Sequence, residues 1–113
     1  MIKSIFSNGH EDIYNGKRPV TAGWIVITPS GTILSGHSIN AKTAEKTARS
    51  AAAERSQLHV AYNAIGGVPL GYLRAREQNA KDLGYKDHRD LVQSVKQGRA
   101  AFVEQCHIEI VSL

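Results

Sequence analysis

The segment that most constrains the fold is residues 19–38, PVTAGWIVITPSGTILSGHS. Its first half is rich in β-branched residues and contains Trp24, and Pro19 stands at the edge, where a missing backbone donor is tolerated. A Pro-Ser-Gly turn follows. The segment therefore predicts a β-hairpin with strands over 19–28 and 32–38.

Both faces of the first hairpin strand are apolar. Side chains alternate along a strand, so Trp24 and Val26 point to one face while Ile25 and Ile27 point to the other. We therefore expect both faces to be covered, either by helices on both sides or by a second subunit on one side.

The two ends of the chain predict further strands. Residues 2–6 (IKSIF) and 106–113 (CHIEIVSL) alternate between apolar and polar side chains. Residues 7–18 begin with a Ser-Asn-Gly turn signal and are predicted to form the longest polar loop.

The middle of the chain predicts three helices, over residues 40–65, 69–83 and 88–104. Asn40 and Asp87 are good N-caps for the first and third helices, and Gly84 followed by Tyr85 predicts a glycine C-cap for the second. The expected fold class is α+β, with a largely antiparallel sheet, the order β-β-β-α-α-α-β and helices packed on the sheet. The length predicts one domain, 1–113.

The composition narrows the range of partners that the protein is expected to bind. The formal net charge is +4 and the sequence pI is about 9.4, a balance that favours polyanionic ligands such as nucleotides and nucleic acid. The single cysteine, Cys106, excludes an internal disulfide framework. No apolar run reaches the roughly 18 residues of a membrane span, and the N-terminus lacks the pattern of a signal peptide. We expect a cytoplasmic protein that binds no membrane.

Three segments resemble the opening of a ribonuclease H-like domain: IFSNGH (5–10), AGWIVITPSGTILSGHS (22–38) and NAKTAEKTARSAAAERSQL (40–58). In that family a first strand ends in an Asp-Gly turn, a hairpin and a glutamate-bearing helix follow, and carboxylates hold two metal ions. Here Asn8 stands at the first aspartate position and Glu45 matches the helix glutamate. The last strand ends without an aspartate. The resemblance therefore implies a domain that has lost most of its catalytic carboxylates.

Seven residues are candidates for ligand binding: Lys17, Arg18, Arg49, Arg55, Tyr72, Arg76 and Asn79. Among them, Tyr72 can stack on a base, Arg76 can pair with a phosphate, and the amide of Asn79 can bind a base edge. A nucleotide site needs such groups close together. The alternative for Arg76 and Asn79 is an exposed polar helix.

The first helix offers two further basic features. Lys42, Lys46 and Arg49 lie at i, i+4 and i+7, which predicts one basic face that follows phosphates or, alternatively, a solvated face. Arg55 interrupts an otherwise apolar stripe. It is expected either to form an internal ion pair, to extend its stem to solvent, or to meet a phosphate or base at an interface.

Other reactive side chains give no clear site. The five histidines lack metal-ligand spacing, and His10-Glu11-Asp12 is predicted to be a polar loop. Cys106 and His107 point to opposite faces of a predicted strand, which favours a structural cysteine. We expect no metal and no cofactor.

These features favour a non-catalytic, homo-oligomeric binding protein for a phosphate-bearing anionic ligand. One concrete form is a viral sponge that sequesters nucleotide immune signals, since such proteins are similar in plan, with helices between the third and last strands of a small sheet. One alternative is an inhibitor or accessory protein that binds nucleic acid or a nucleoprotein complex. Another is a degenerate ribonuclease H-like phosphodiesterase that uses Glu45.

Overall fold

A computed structural model describes residues 1–57 and 73–113 of the chain, with the side chains of 73–75 excepted. The chain forms two compact units. The first unit comprises Met1–Ala52 and Val103–Leu113, and the second comprises Ala53–Phe102. Across the described residues, no helix combines the length and the apolar character needed to cross a membrane.

The order of elements confirms the predicted α+β class. The strands are β1 (Ile2–Ile5), β2 (Glu11–Tyr14), β3 (Ala22–Ile27), β4 (Ile33–Ser38) and β5 (His107–Ser112), and the helices are α1 (Ala41–Glu54), α2 (Leu73–Asp82) and α3 (His88–Gln105). β1 pairs with β2 in a two-stranded sheet, and β3 is the central strand of a three-stranded sheet in the order β4-β3-β5. Each of these pairings is antiparallel, as predicted.

Strand β2 lies within the stretch predicted to be a loop. The Phe6 N–H donates to the His10 carbonyl at 2.9 Å and Gly9 adopts a φ of +85°, so the predicted turn closes a hairpin. The inward-facing residues of β2 are Asp12 and Tyr14, which pair with Ser4 and Ile2 of β1. Because the inward-facing residue Asp12 is charged, this segment lacks the apolar inward positions by which a strand is recognised in a sequence.

The β3–β4 hairpin is confirmed. The Thr28 N–H donates to the Thr32 carbonyl at 2.9 Å, and Gly31 takes a φ of +89° in the turn. Trp24 lies opposite Gly36, and a Cβ added at Gly36 would lie 2.8 Å from Cζ2 of the indole ring. The missing side chain of Gly36 therefore makes room for Trp24.

The central strand is covered on both faces, as expected. Every residue of β3 from Ala22 to Val26 is buried. Helix α1 packs on the sheet, and its Ala44, Ala48 and Ala52, spaced four residues apart, are fully buried. The face that contains Gly23 and Ile25 is covered by the β1–β2 hairpin, through the polar contacts described below. Neither a second helical layer nor a second subunit is needed there.

Helix α1 is shorter than predicted. It ends at Glu54, and the Ser56 N–H donates to the Ala53 carbonyl at 3.1 Å in a tighter turn. The prediction of one helix up to residue 65 is therefore wrong at residues 55 and 56. The predicted stop at Gly66-Gly67 and the helix start at Pro69 lie outside the described residues.

The connection between α2 and α3 has the predicted caps. Gly84 has a φ of +90°, its N–H donates to the Lys81 carbonyl and the Tyr85 N–H donates to the Ala80 carbonyl, both at 2.9 Å. This is a Schellman C-cap. Tyr85 packs against the buried cluster of Ala80, Leu91 and Val95. Asp87 caps α3, because its Oδ1 accepts the Asp90 N–H at 2.8 Å.

Candidate functional site

The loop between β2 and β3 presents two predicted ligand-binding cations. Lys17 and Arg18 are both exposed. The Tyr14 hydroxyl donates to the Arg18 carbonyl at 2.8 Å, and a side chain at Gly16 would collide with the Tyr14 ring. The loop is thus folded against the end of β2, and the two cations are held on an anchored backbone.

The end of this loop meets the segment that leads into α1. The Thr21 N–H donates to the Ser38 carbonyl at 3.1 Å, and the Thr21 hydroxyl donates to the Ile39 carbonyl at 2.6 Å. Ala22 pairs with Ser38 at the same end of the sheet. The loop with its two cations and the start of α1 therefore leave the sheet at one end. We call the four cations of these segments, Lys17, Arg18, Lys42 and Lys46, the basic end.

The start of α1 adds a partial positive charge. Asn40 caps the helix by accepting the Thr43 N–H at 2.8 Å, and no acidic residue lies in the first turn. A helix N-terminus favours anions, and a first turn without a carboxylate leaves that preference unopposed. Lys42 and Lys46 are exposed, on the side of α1 away from Ala44 and Ala48.

The charges of the first unit are unevenly distributed. Four of its five carboxylates have partners: Glu11 with Lys3, Asp12 with His37, Glu104 with Arg49 and Glu109 with the Ser7 N–H. Among the residues that the structure describes, the four cations of the basic end have no ion-pair partner. The positive charge of this unit is therefore concentrated at the basic end.

Arg49 is exposed on α1 and already has a partner. Its Nη2 lies 2.7 Å from Oε1 of Glu104 near the end of α3. The predicted basic face of α1 thus consists of two lysines without an ion-pair partner in the described part of the chain, followed by an arginine that Glu104 neutralises.

Arg55 does not lie on a packing face. It follows the end of α1, belongs to the second unit and is exposed. The predicted apolar stripe required the helix to continue through residue 55, and the turn at Ser56 ends it first. The predicted position of Arg55 on the apolar stripe of this helix is therefore wrong.

The second unit contains Arg76, which is half-buried on α2. Its Nε is fully enclosed, and in the described parts of the chain it has no hydrogen-bond partner. A buried donor left in this state costs roughly 1–3 kcal/mol. Asn79 is half-buried three residues further along α2. Tyr72, the third member of the predicted group, lies outside the described residues.

His88 was not among the predicted ligand-binding residues, yet its Nδ1 is also enclosed and unpaired within the described residues. It is the first residue of α3. Its backbone N–H donates to Oε2 of Glu77 at 3.1 Å, which places it beside the residue that follows Arg76. A histidine after a helix cap gives no sequence signal of burial, so residue patterns alone could not have selected it.

A second polar cluster was also missed, and it lies between the β1–β2 hairpin and the sheet. Nε2 of His37 is 2.7 Å from the Ser4 hydroxyl, and Nδ1 is 3.4 Å from Oδ2 of Asp12. The order of groups matches that of a hydrolase triad. Ser4, however, is only 1% exposed, so a substrate has no access to its hydroxyl. We assign this cluster a structural role in fastening the hairpin.

The remaining reactive groups form no further centre. Burial raises the pKa of the Cys106 thiol, which lowers its thiolate content and its nucleophilicity. Glu11 and Asp12 are engaged as described above, and Nε2 of His10 lies 3.3 Å from the Ser35 hydroxyl. In the ranges that the structure describes, no group of three or more His, Cys, Asp or Glu side chains could hold a metal ion.

Comparison with family models, with curated proteins and with solved structures finds no match to this chain. The resemblance to ribonuclease H-like domains and the similarity in plan to viral sponges therefore stay predictions. The described residues that support a functional proposal are those of the basic end.

Proposed function

We propose that this protein is a non-catalytic binding protein for a phosphate-bearing anionic ligand, and that the basic end binds the phosphate. The main support is that two segments bearing four cations, none ion-paired with a described residue, leave the sheet at the same end, and that the helix start there has no acidic residue. The other cations of the first unit, Lys3 and Arg49, are already neutralised.

The chemistry of the basic end suits a phosphate. Arg18 can give paired N–H donors to two phosphate oxygens, and Lys17 and Lys42 add point charges. The first backbone N–H groups of α1 point along the helix axis toward the same region and favour an anion. Because the loop is anchored through Tyr14, little backbone entropy is lost when a ligand orders it.

In the nucleotide-sequestering form of this proposal, the function of the protein is to bind a nucleotide without changing it. A sponge returns its ligand chemically unchanged and binds it in a fixed ratio to protein. Among the residues that the structure describes, no strand pairs with the outer edges of β4 and β5, and an open edge can pair with another copy of the chain. This supports the homo-oligomeric part of the proposal.

Equilibrium dialysis with adenosine 5′-monophosphate tests the site. The double variant Lys17→Gln/Arg18→Gln should weaken binding by about tenfold, which corresponds to the loss of one charge-assisted hydrogen bond. The matched control Lys81→Gln/Lys96→Gln removes the same charge from exposed positions of α2 and α3 and should change binding less than about twofold. Equal losses in the two double variants would contradict a specific site at the basic end.

The salt dependence separates this proposal from a nucleic-acid interface. A protein that neutralises many phosphates loses affinity steeply as salt increases, with a slope of about −0.9 per phosphate contact on a duplex. A single nucleotide at the basic end should give a slope of magnitude about 2 or less.

Recovery of unaltered nucleotide after long incubation would support binding without turnover. If the nucleotide is hydrolysed and Glu45→Gln stops that hydrolysis, the phosphodiesterase alternative is correct.

A further inference from the structure

We propose that Tyr14 and Thr21 are positioning residues for the basic end, whose hydroxyls set its affinity for a phosphate-bearing ligand by holding the backbone that carries the cations. This inference rests on the proposed function. The two hydroxyls act at opposite ends of the loop that bears Lys17 and Arg18, and each donates a hydrogen bond to a backbone carbonyl. All of these residues lie within the first unit.

The start of the loop is held by Tyr14. Its hydroxyl donates to the Arg18 carbonyl at 2.8 Å, and its ring lies against that of His37, with 5.5 Å between the ring centroids. His37 is itself fixed in the buried polar cluster. The chain at Gly16 can approach the Tyr14 ring because it lacks a Cβ, which would collide with that ring. Pro19 restricts Arg18 to extended backbone conformations. The phenol therefore fixes the backbone of the single arginine of the basic end.

The end of the loop is held by Thr21, which contacts the segments that follow β4 and β5. Its N–H donates to the Ser38 carbonyl at 3.1 Å, and its hydroxyl donates to the Ile39 carbonyl at 2.6 Å. Its own carbonyl accepts the Leu113 N–H at 3.0 Å. Ile39 immediately precedes Asn40, the N-cap of α1. The Thr21 hydroxyl thus ties the loop to the residue that leads into the helix start.

The ordering of the loop before binding affects affinity through entropy. A loop that is free in the unbound protein loses conformational entropy when a ligand orders it, and this cost weakens binding. Tyr14 and Thr21 remove part of that cost, because the loop is already held at both ends. Loss of either hydroxyl leaves every charge of the basic end in place. The affinity should therefore fall while its dependence on salt stays the same, and this combination distinguishes a positioning residue from one that binds the phosphate.

Equilibrium dialysis with adenosine 5′-monophosphate tests the two hydroxyls separately. Tyr14→Phe and Thr21→Val each remove one hydroxyl and keep the shape of the side chain. Each should weaken binding about threefold, and the double variant should weaken it about tenfold. Thr21→Ser keeps the hydroxyl and should bind within about twofold of the wild type. The salt slope should be that of the wild type in all of these variants, whereas Lys17→Gln/Arg18→Gln should lower its magnitude by about 1.

Thr28→Val is the matched control, because Thr28 also uses its hydroxyl to hold a turn. Its Oγ1 accepts the Thr32 N–H at 3.1 Å between β3 and β4, at the opposite end of the sheet from the pair of Ala22 and Ser38. The change should lower stability but leave nucleotide binding within about twofold. Urea denaturation checks that each variant is folded under the dialysis conditions. A loss of affinity equal to that of Thr21→Val would show that affinity follows stability, and the positioning role would be wrong.

Amide ¹⁵N relaxation of Lys17 and Arg18 measures the order of the loop in the free protein. Both amides should be as ordered as those of β3 in the wild type and mobile on the nanosecond timescale in Tyr14→Phe/Thr21→Val. Unchanged order in that double variant would overturn the inference. If the nucleotide does not bind the wild type, the proposed function is wrong and this inference with it. If Lys17→Gln/Arg18→Gln weakens binding while Tyr14→Phe/Thr21→Val binds like the wild type, the basic end is the site and only the positioning role is wrong.

Discussion

His37 in the first unit and His88 in the second differ in whether their ring nitrogens have partners. Both ring nitrogens of His37 have a partner, with the Ser4 hydroxyl on one side and the Asp12 carboxylate on the other. His88 uses its backbone N–H to bind Glu77 and leaves Nδ1 enclosed without a partner among the described residues. The same side chain is therefore part of a completed hydrogen-bond network in one unit, and in the other it has a ring nitrogen without a partner among the described residues.

The difference shows that a buried polar side chain stabilises the fold only when its hydrogen-bonding atoms have partners. A fully satisfied buried network fixes one arrangement of the backbone, and the first unit uses it to hold the β1–β2 hairpin on the sheet. An unsatisfied donor lowers the stability of the ligand-free protein and becomes favourable only when an acceptor arrives. Stability measurements on variants of the two histidines should therefore distinguish them.

The largest expected effect is at Gly23, the residue on which the fastened hairpin rests. A Cβ added there would lie 2.8 Å from Cβ of Ser4 and closer still to its hydroxyl, and 3.2 Å from Cγ2 of Val111. Ser4 is buried and bonded to His37, so it has no room to move. Gly23→Ala should lower the free energy of unfolding by about 3 kcal/mol, measured by urea denaturation.

The control for this prediction is a second change at the point of contact. Adding Ser4→Gly to Gly23→Ala removes both close atoms of residue 4 and should recover part of the lost stability. Gly9→Ala is not a suitable control, because Gly9 has a φ of +85° and would be strained whatever the space around it. A Gly23→Ala protein as stable as the wild type would show that the hairpin is not seated on β3.

The second prediction compares the two histidines by the same substitution. His37→Phe leaves the Ser4 hydroxyl and the Asp12 carboxylate without their shared partner and should cost about 2 kcal/mol. His88→Phe removes an unpaired buried nitrogen and should cost nothing, or stabilise the free protein by up to about 1 kcal/mol. Thermal unfolding of both variants at neutral pH checks the difference, and equal destabilisation would contradict the distinction between the two units.

Most of the backbone structure can be predicted from the sequence, but few of the buried polar contacts can. The hairpin at 19–38, the caps at Asn40 and Asp87 and the C-cap at Gly84 follow from local residue chemistry, and each is confirmed. Strand β2 was missed because its inward side chains are polar and find partners on β4, a relation between residues far apart in the chain.

The candidate ligand-binding residues are likewise predicted from the sequence only in part. Lys17 and Arg18 are exposed, as a basic loop predicts, but their relation to the start of α1 depends on the contacts of Thr21 with residues 38 and 39. The sequence pattern places Arg55 on an apolar helical stripe, and this prediction fails because the helix ends at Glu54. The enclosure of His88 depends on how α2 and α3 pack, which no local pattern encodes.

The smallest expected effect concerns a third fastening of the hairpin, between its turn and β5. The Ser7 N–H donates to Oε2 of Glu109 at 2.8 Å, and this backbone hydrogen bond, together with the Ser7 side chain and the charge of His107, lowers the pKa of Glu109. Because the folded-state pKa lies below the unfolded one, the contribution is present above the ordinary glutamate value of about 4.3 and is lost as the pH falls through the folded value.

Glu109→Gln should therefore flatten the acid side of the stability profile. Urea midpoints measured from about pH 7 to about pH 2 should fall less steeply for the variant than for the wild type below about pH 4. Glu45→Gln, which removes an exposed carboxylate that lacks any partner among the described residues, controls for the loss of one negative charge and should leave the wild-type slope in place. Parallel acid profiles for Glu109→Gln and the wild type would mean that the Ser7 contact does not persist in solution. The polar fastening of the hairpin would then depend on the buried cluster around His37, together with the contact between His10 and Ser35.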